Sequence, residues 1–324
     1  MRCINKVKKC IALTLLCLLL TGCGKVSYTF SYDPDCSVSS YRIVNAGSFD
    51  TATAFASDLC VVSQDVLSDE IDMTDISAAA LFKVNSSEVL YAKNVYEKLY
   101  PASLTKVMTA LVALKYGNLE DTLTASEHVI ITEAGAQLCG IKPGDTMTLV
   151  QALHILLLYS ANDVAVMIAE HIGGSVEGFA DLMNKEAKEL GATNSNFVNP
   201  HGLSDDNHYV TAYDMYLIFN EAVKYDMFTE IIHMMSYDTT YYDSSGNPKE
   251  VSIGTTNRYL KGTCPTPENI TVIGGKTGTT NAAKKCLVLL SKDTSGNSYI
   301  SIIMRAETVE RLYEGMSALL GSIY

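Results

Sequence analysis

The first strong signal along the chain is an apolar run over residues 11–20, preceded by the basic residues Arg2, Lys6, Lys8 and Lys9. From residue 24 to about 75 no period is sustained, and Ser, Asp and Thr are frequent. From Ile76 the texture changes. Apolar segments over 77–84 and 88–95 flank Asn85-Ser86-Ser87, which predicts a β-hairpin. Tyr100-Pro101-Ala102 then introduces a helical pattern over 103–114 that stops near Gly117. Residues 119 to about 260 read as mostly helical. The stretch 149–158 is almost wholly apolar, the pattern of a helix buried on all sides. Asn162 or Asp163 can cap a helix to His171 that Gly173-Gly174 closes, and further helices are predicted over 176–190 and 212–224. Strands follow at 271–273, 286–290 and 299–304, with a turn at Gly296-Asn297, and a helix over 308–320 ends the pattern. Strands at both ends with helices between predict an α+β fold: one antiparallel sheet built from both ends of the domain, flanked by helices, with an inserted, mainly helical lobe.

Composition changes this picture in three ways. The chain has 324 residues, enough for one large core, and a formal net charge of −12. Such an acidic balance makes the chain a poor candidate for binding nucleic acid, which requires a basic face. The apolar run 11–20 is shorter than the ~20 residues of a spanning helix, so it fits the core of a secretory signal. It leads into Leu20-Thr21-Gly22-Cys23, which resembles the bacterial lipobox, with Cys23 as the lipidated first residue of the mature protein. The expected organisation is a signal peptide over 1–22, a tether over 23–75 and a catalytic domain over 76–324, outside the cytoplasm and held to the outer face of the membrane by lipid. An uncleaved N-terminal anchor is the alternative. Cys36, Cys60, Cys139, Cys264 and Cys286 match no zinc spacing, and their scatter argues against a disulfide framework, although Cys36 and Cys60 could pair. His154, His171, His201, His208 and His233 show no ligand spacing either, so no metal is expected.

Three short motifs carry candidate chemistry. In Ser103-Leu104-Thr105-Lys106 the Ser and Lys share one helix face. A serine hydroxyl needs an adjacent base, and a buried lysine beside another cation can be that base. Ser160-Ala161-Asn162 interrupts an apolar helical region with small and polar residues, as the wall of a cavity would. Lys276-Thr277-Gly278 lies in Gly274-Gly275-Lys276-Thr277-Gly278-Thr279-Thr280, a glycine-rich strand that a ligand can approach closely and whose Lys-Thr pair could bind a carboxylate. A phosphate loop is excluded because its glycine spacing is not met.

The three motifs in this order resemble the Ser-x-x-Lys, Ser-x-Asn and Lys-Thr-Gly set of the penicillin-recognising enzymes. The segment from Pro101 to Ala110, together with Ile141-Lys142-Pro143-Gly144-Asp145, Met183-Asn184-Lys185 and Phe197-Val198-Asn199-Pro200-His201-Gly202-Leu203, is similar to the D-alanyl-D-alanine carboxypeptidases, the low-molecular-mass penicillin-binding proteins. The resemblance covers roughly residues 76–324. It implies that Ser103 is acylated by the D-Ala-D-Ala end of a peptidoglycan stem peptide, with Lys106 as general base. Ser160 and Asn162 would line the site from the helical lobe, and Lys276, Thr277 and Gly278 from the sheet edge. The backbone N–H groups of Ser103 and Thr279 would form the oxyanion hole. No cofactor is implied, and β-lactams are expected inhibitors.

Two departures from the family stand out. Tyr213 is read at a position where relatives commonly carry an Arg associated with the substrate's terminal carboxylate, with Arg258 or Lys276 as the candidates to compensate. Lys284-Lys285 replaces a Gly-aromatic pair, a change expected to affect the surface of the next strand and not the chemistry. The chain also ends soon after its last predicted helix. That leaves no room for the extra β-domain and C-terminal amphipathic anchor of many relatives, so the N-terminal lipid is expected to serve as anchor. Competing readings are a β-lactamase-type hydrolase, against which no Glu-x-x-Leu-Asn stretch is found, and a non-catalytic cell-wall peptide-binding lipoprotein.

Overall fold

A computed structural model describes residues 58–323. The expected signal segment, Cys23, Cys36 and most of the tether lie outside the described residues. Strands β1 (Ile76–Lys83) and β2 (Val89–Lys93) form the predicted hairpin. Near the other end of the chain come β7 (Ile270–Thr280), β8 (Lys284–Asp293) and β9 (Ser298–Ala306). The five strands make one antiparallel sheet in the order β2-β1-β9-β8-β7, so both ends of the domain complete the same sheet.

The central strands are buried on both faces, which is why their sequences read as continuous apolar runs and not as an alternation. On one face Ala78, Ala80 and Phe82 of β1 with Val288 and Leu290 of β8 pack against α1 (Thr105–Tyr116) and α5 (Ala212–Ala222). On the other, Ala79 and Leu81 with Leu287 and Leu289 pack against Leu312, Met316 and Leu319 of the C-terminal helix α7 (Val309–Gly321). Strand β7 is the edge of the sheet, and its free edge faces the inserted lobe.

That lobe contains α2 (Leu149–His154), α3 (Asn162–Gly173), α4 (Val176–Glu189) and α6 (Asp226–His233). It is less purely helical than the pattern predicts. A second, four-stranded antiparallel sheet runs through it in the order β3 (Thr122–Thr124), β4 (Thr146–Thr148), β5 (Ser236–Tyr242) and β6 (Pro248–Gly254). The β5–β6 hairpin exposes one face and packs the other on the lobe, with Tyr241 and Ile253 buried and Tyr237 and Val251 half-buried against the core. Its alternation, Tyr237-Thr239-Tyr241 and Val251-Ile253, is short and partly polar, which makes it a weak strand signal. Asp243 shapes its turn by accepting the N–H groups of Ser245 and Asn247.

The stretch from Asp58 to Asp75, read as the end of the tether, instead packs on the domain. Cys60, Val62, Ile71 and Met73 are buried, and Val66 pairs with Ala92 beside β2. Each apolar side chain fills its own gap in an existing surface, so no period marks the segment. Cys60 is a free thiol directed at the carbonyls of Lys83, Ser86 and Glu88. Among the described residues, no helix is long and apolar enough to cross a membrane.

Candidate active site

The turn before α1 sets the first side chain. Pro101 leads into a single 3-10 turn, Ala102–Leu104, and Ala102 takes a left-handed φ of 48°. The turn is flanked on both sides by glycines: Gly202 has no room for a side chain, and at Gly278 one would be tight. A Cβ on Gly202, whose φ is 89°, would meet Ala102 O at 1.9 Å. One on Gly278 would lie 3.1 Å from Ser103 N. The Lys-Thr-Gly strand thus lies directly against the backbone of the Ser103 turn. This close approach, and not loop flexibility, is what the glycine provides.

Lys106 follows one helical turn after Ser103 and is wholly buried. Its Nζ lies 3.0 Å from Ser103 Oγ, 2.6 Å from Asn162 Oδ1 and 2.7 Å from the His201 carbonyl oxygen. A neutral amine has two N–H donors and one lone pair. Asn162 and the His201 carbonyl can take both donors, which leaves the lone pair facing the Ser103 hydroxyl. Burial pushes the Lys106 pKa well below the usual lysine range, and the neighbouring Lys276 cation pushes it further, against the opposing pull of Asp163.

The second motif reaches the site through an irregular helix. Helix α2 widens into a π-helical turn over Ile155–Tyr159, and Ser160 then adopts the left-handed region at φ 68°, ψ 33°. Such π turns and left-handed non-glycine residues concentrate at functional sites. The kink separates Ser160 from α3, whose first residue is Asn162, so both side chains point into the same cavity. Ser160 Oγ accepts a hydrogen bond from Lys276 Nζ at 2.9 Å, and Lys276 Nζ also donates to the Thr277 carbonyl at 2.8 Å. Lys276 is wholly buried, which pushes its pKa down to about 7. The two lysines form one buried site in which double protonation would place like charges side by side.

Several supporting groups escape sequence reasoning because they act through the backbone or from a distance in the chain. Asp163, read only as a possible cap, accepts the N–H groups of Cys139, Gly140 and Ile141 at 3.0, 2.7 and 3.2 Å. With Asn162 N donating to the Gln137 carbonyl at 2.8 Å, it holds the loop that forms one wall of the cavity. The His201 segment is fixed by Thr109, which donates to the Pro200 carbonyl at 2.6 Å. His208 bonds Thr105 Oγ1 at 2.9 Å through Nε2 and accepts the Val198 N–H through Nδ1. Burial holds the imidazoles of His201 and His208 neutral, with pKa values pushed down to about 3 and about 4.

The histidines thus serve local structure: His154 stacks on Tyr237, His171 faces Asp121, and His233 meets the Ile273 carbonyl. Among the described residues, no cluster of three His, Cys, Asp or Glu side chains is placed to hold a metal.

Ser103, Ser160, Asn162, Thr277, Gly278 and Thr279 line a cavity of about 390 Å³ that wraps over the free edge of β7. Lys106 and Lys276 lie beneath it. On the α7 side of β7 the wall continues with Thr256, Arg258, Lys285 and Tyr313. Tyr213 is not part of this wall. Its hydroxyl donates to the Cys60 carbonyl at 2.8 Å, and its ring packs with Phe82, Tyr96 and Tyr216. Tyr213 instead anchors the 58–75 segment. Lys284 takes a left-handed φ of 56° and pairs with Glu307 at 3.3 Å.

Residues 65–308 match the family model described as D-alanyl-D-alanine carboxypeptidase. The chain is 37% identical over 241 residues to the D-alanyl-D-alanine carboxypeptidase DacF of Bacillus subtilis, covering 72% of this chain and 58% of the relative. It is 32% identical over 266 residues to the D-alanyl-D-alanine carboxypeptidase DacC of Escherichia coli, covering 79% of this chain and 61% of the relative. The chain thus spans about three fifths of the length of these curated relatives. Its fold is that of the Streptomyces K15 DD-transpeptidase, with a TM-score of 0.71 at 23% identity, covering 78% of this chain and 98% of that structure. With the family model matched over most of the described fold, the chain belongs to the D-alanyl-D-alanine carboxypeptidase family.

Proposed function

We propose that the protein is a serine-type carboxypeptidase that removes the terminal D-alanine from peptidoglycan stem peptides. The observation that carries this reading is the environment of Lys106: a buried amine with Ser103 Oγ at 3.0 Å and two further acceptors, Asn162 Oδ1 and the His201 carbonyl, that can hold its N–H donors when it is neutral and so free its lone pair for the Ser103 proton. Ser103 attacks the carbonyl carbon of the penultimate D-Ala while its proton passes to Lys106 Nζ. The developing oxyanion is met by the N–H groups of Ser103 and Thr279, at the point where Gly278 brings β7 against the nucleophile turn. The C–N bond breaks, and the leaving D-alanine nitrogen takes the proton that Lys106 received from Ser103, relayed through the Ser160 hydroxyl that Lys276 holds, so that Lys106 is neutral again. Water then attacks the acyl-enzyme, releasing the shortened peptide and restoring Ser103. A β-lactam presents a similar amide and would acylate the same serine.

Release of free D-alanine from a synthetic peptide ending in D-Ala-D-Ala tests this reading. The wild-type protein should release it, and Ser103→Ala should lower the rate at least ~10³-fold. A non-catalytic binder would release none. A β-lactamase-type enzyme would turn over penicillin rapidly and leave the peptide intact.

The substrate lies outside the cytoplasm, and Leu20-Thr21-Gly22-Cys23 supports attachment there through a lipidated Cys23. One acyl chain gives only marginal membrane binding, so a diacylated Cys23 is the effective form. Cys23→Ala expressed in bacteria should shift the protein from the membrane to the soluble extracytoplasmic fraction. Unchanged membrane retention and lipid labelling would rule this out.

A further inference from the structure

Hydrolysis of the acyl-enzyme needs a water held beside the ester carbon and within reach of a base. Lys106 is neutral again once D-alanine has left, so it can take a proton from that water. The groups around it are largely committed. Asn162 Oδ1 and the His201 carbonyl hold its N–H donors, and Ser160 Oγ accepts from Lys276. The N–H groups of Ser103 and Thr279 face the oxyanion. A donor that fixes the oxygen of the water must come from elsewhere on the cavity wall.

The His201 imidazole has such a donor. Its carbonyl touches Lys106, and the residue lines the cavity. Its Nδ1 accepts the Leu203 N–H at 3.1 Å. Burial keeps the ring neutral, with its pKa pushed down to about 3. A neutral imidazole carries one proton, and because Nδ1 is the acceptor that proton sits on Nε2. Nε2 has no hydrogen-bond partner among the described residues. Sealed in the core such a donor would be costly, whereas on the cavity wall it can meet water. His208, close by, shows the other arrangement, with both ring nitrogens engaged by Thr105 Oγ1 and the Val198 N–H. The turn that carries His201 is held firmly. Asn199 accepts the Gly202 N–H at 2.7 Å and donates to the Leu203 carbonyl at 3.0 Å, and Gly202 lies against the Ala102 carbonyl. The Nε2–H is therefore fixed relative to Ser103 and Lys106.

Resting on the carboxypeptidase reading, we infer that His201 is a further catalytic residue of the hydrolysis step, whose Nε2–H holds the oxygen of the attacking water while that water faces Lys106 Nζ. The water oxygen bonds to the ester carbon as one of its protons passes to Lys106. The bond from that carbon to Ser103 Oγ then breaks, and Lys106 returns a proton to Oγ. The shortened peptide leaves as its carboxylic acid. The imidazole takes no proton in this step, because its lone pair on Nδ1 is spent on the Leu203 N–H. It acts as a fixed neutral donor.

Two substitutions separate this role from a structural one. In His201→Asn the short side chain can still accept the N–H two residues on, as asparagine does in turns, so the Leu203 bond is kept and the reach of Nε2 is lost. In His201→Gln the longer chain brings an amide N–H to about the place of Nε2–H, and the Leu203 bond is lost. Formation and decay of the penicillin acyl-enzyme are followed by intact-protein mass spectrometry, and D-alanine release from a D-Ala-D-Ala peptide is measured alongside. In His201→Asn the acyl-enzyme should form at close to the wild-type rate and decay about tenfold more slowly, as expected for losing one hydrogen bond to a reacting group. With the peptide, the same variant should accumulate acyl-enzyme on Ser103. His201→Gln should restore most of the decay rate. The reverse order, with Asn like the wild type and Gln slow, would mean that the ring serves only its turn and overturns the inference. So would an equal loss of formation and decay in both variants, since the ring would then act by placing Lys106. Failure of the wild type to release D-alanine from the peptide would instead refute the carboxypeptidase reading on which the inference rests.

Discussion

At the scale of single residues, the account turns on one amine. Lys106 is wholly buried, and the same burial that costs the ammonium its hydration makes the neutral form accessible as a base. The sign of the pH dependence follows. Below the lowered Lys106 pKa the amine is protonated and cannot take the Ser103 proton. As pH rises through that pKa the acylation rate should climb and then level off. Lys106→Arg keeps a cation but gives up no proton at working pH, so it should lose at least ~10²-fold in acylation and lack the rising limb. If the wild type shows no limb between mildly acidic and mildly alkaline pH while the Arg variant acylates normally, Lys106 only orients Ser103. The Ser-x-x-Lys spacing makes the pair legible in sequence because helical periodicity fixes which residues meet. The acceptors that orient the amine are less legible. One is a backbone carbonyl at His201, 95 residues away, and chain carbonyls carry no sequence signature.

At the scale of elements, legibility follows how each element is buried. Strands β1, β8 and β9 and helices α1, α4, α5 and α7 present long apolar faces to the two cores, and their patterns locate them to within a few residues. The β5–β6 hairpin packs one face only, through a short and partly polar alternation, so the pattern takes it for part of a helical lobe. The strand β7 is visible as 271–273 from its apolar start, yet it continues to Thr280 through residues chosen for the site and not for the core. Local rules break most sharply at the ends of elements that meet the cavity. Ala102 and Ser160 take left-handed backbone that alanine and serine rarely adopt, and the π-helical turn 155–159 interrupts an otherwise regular apolar helix. Sequence reasoning marks the Ser160 interruption as a cavity wall, but the turn that aims the hydroxyl at Lys276 is set by tertiary packing.

At the scale of the whole molecule, the proposed catalysis depends on two halves of the chain meeting. The sheet supplies Lys276 to Thr279 from its exposed edge, and the helical lobe supplies Ser160 and Asn162. The turn carrying Ser103 is wedged between them by Gly202 and Gly278. Because β7 is an edge strand, its free backbone groups are open to pair with an extended peptide laid along the cavity. The arrangement therefore suits covalent capture of a peptide acyl group at one hydroxyl. Intact-protein mass spectrometry of the quenched reaction tests this most directly. With penicillin, the wild type should gain the full mass of the drug, because the lactam ring opens and nothing leaves. With a D-Ala-D-Ala peptide it should gain the peptide mass less one D-alanine, and fragmentation should place both adducts on Ser103, with neither seen in Ser103→Ala. An adduct that persists in Ser103→Ala, or D-alanine release by the wild type with no adduct at Ser103 under any quench time, would contradict the account.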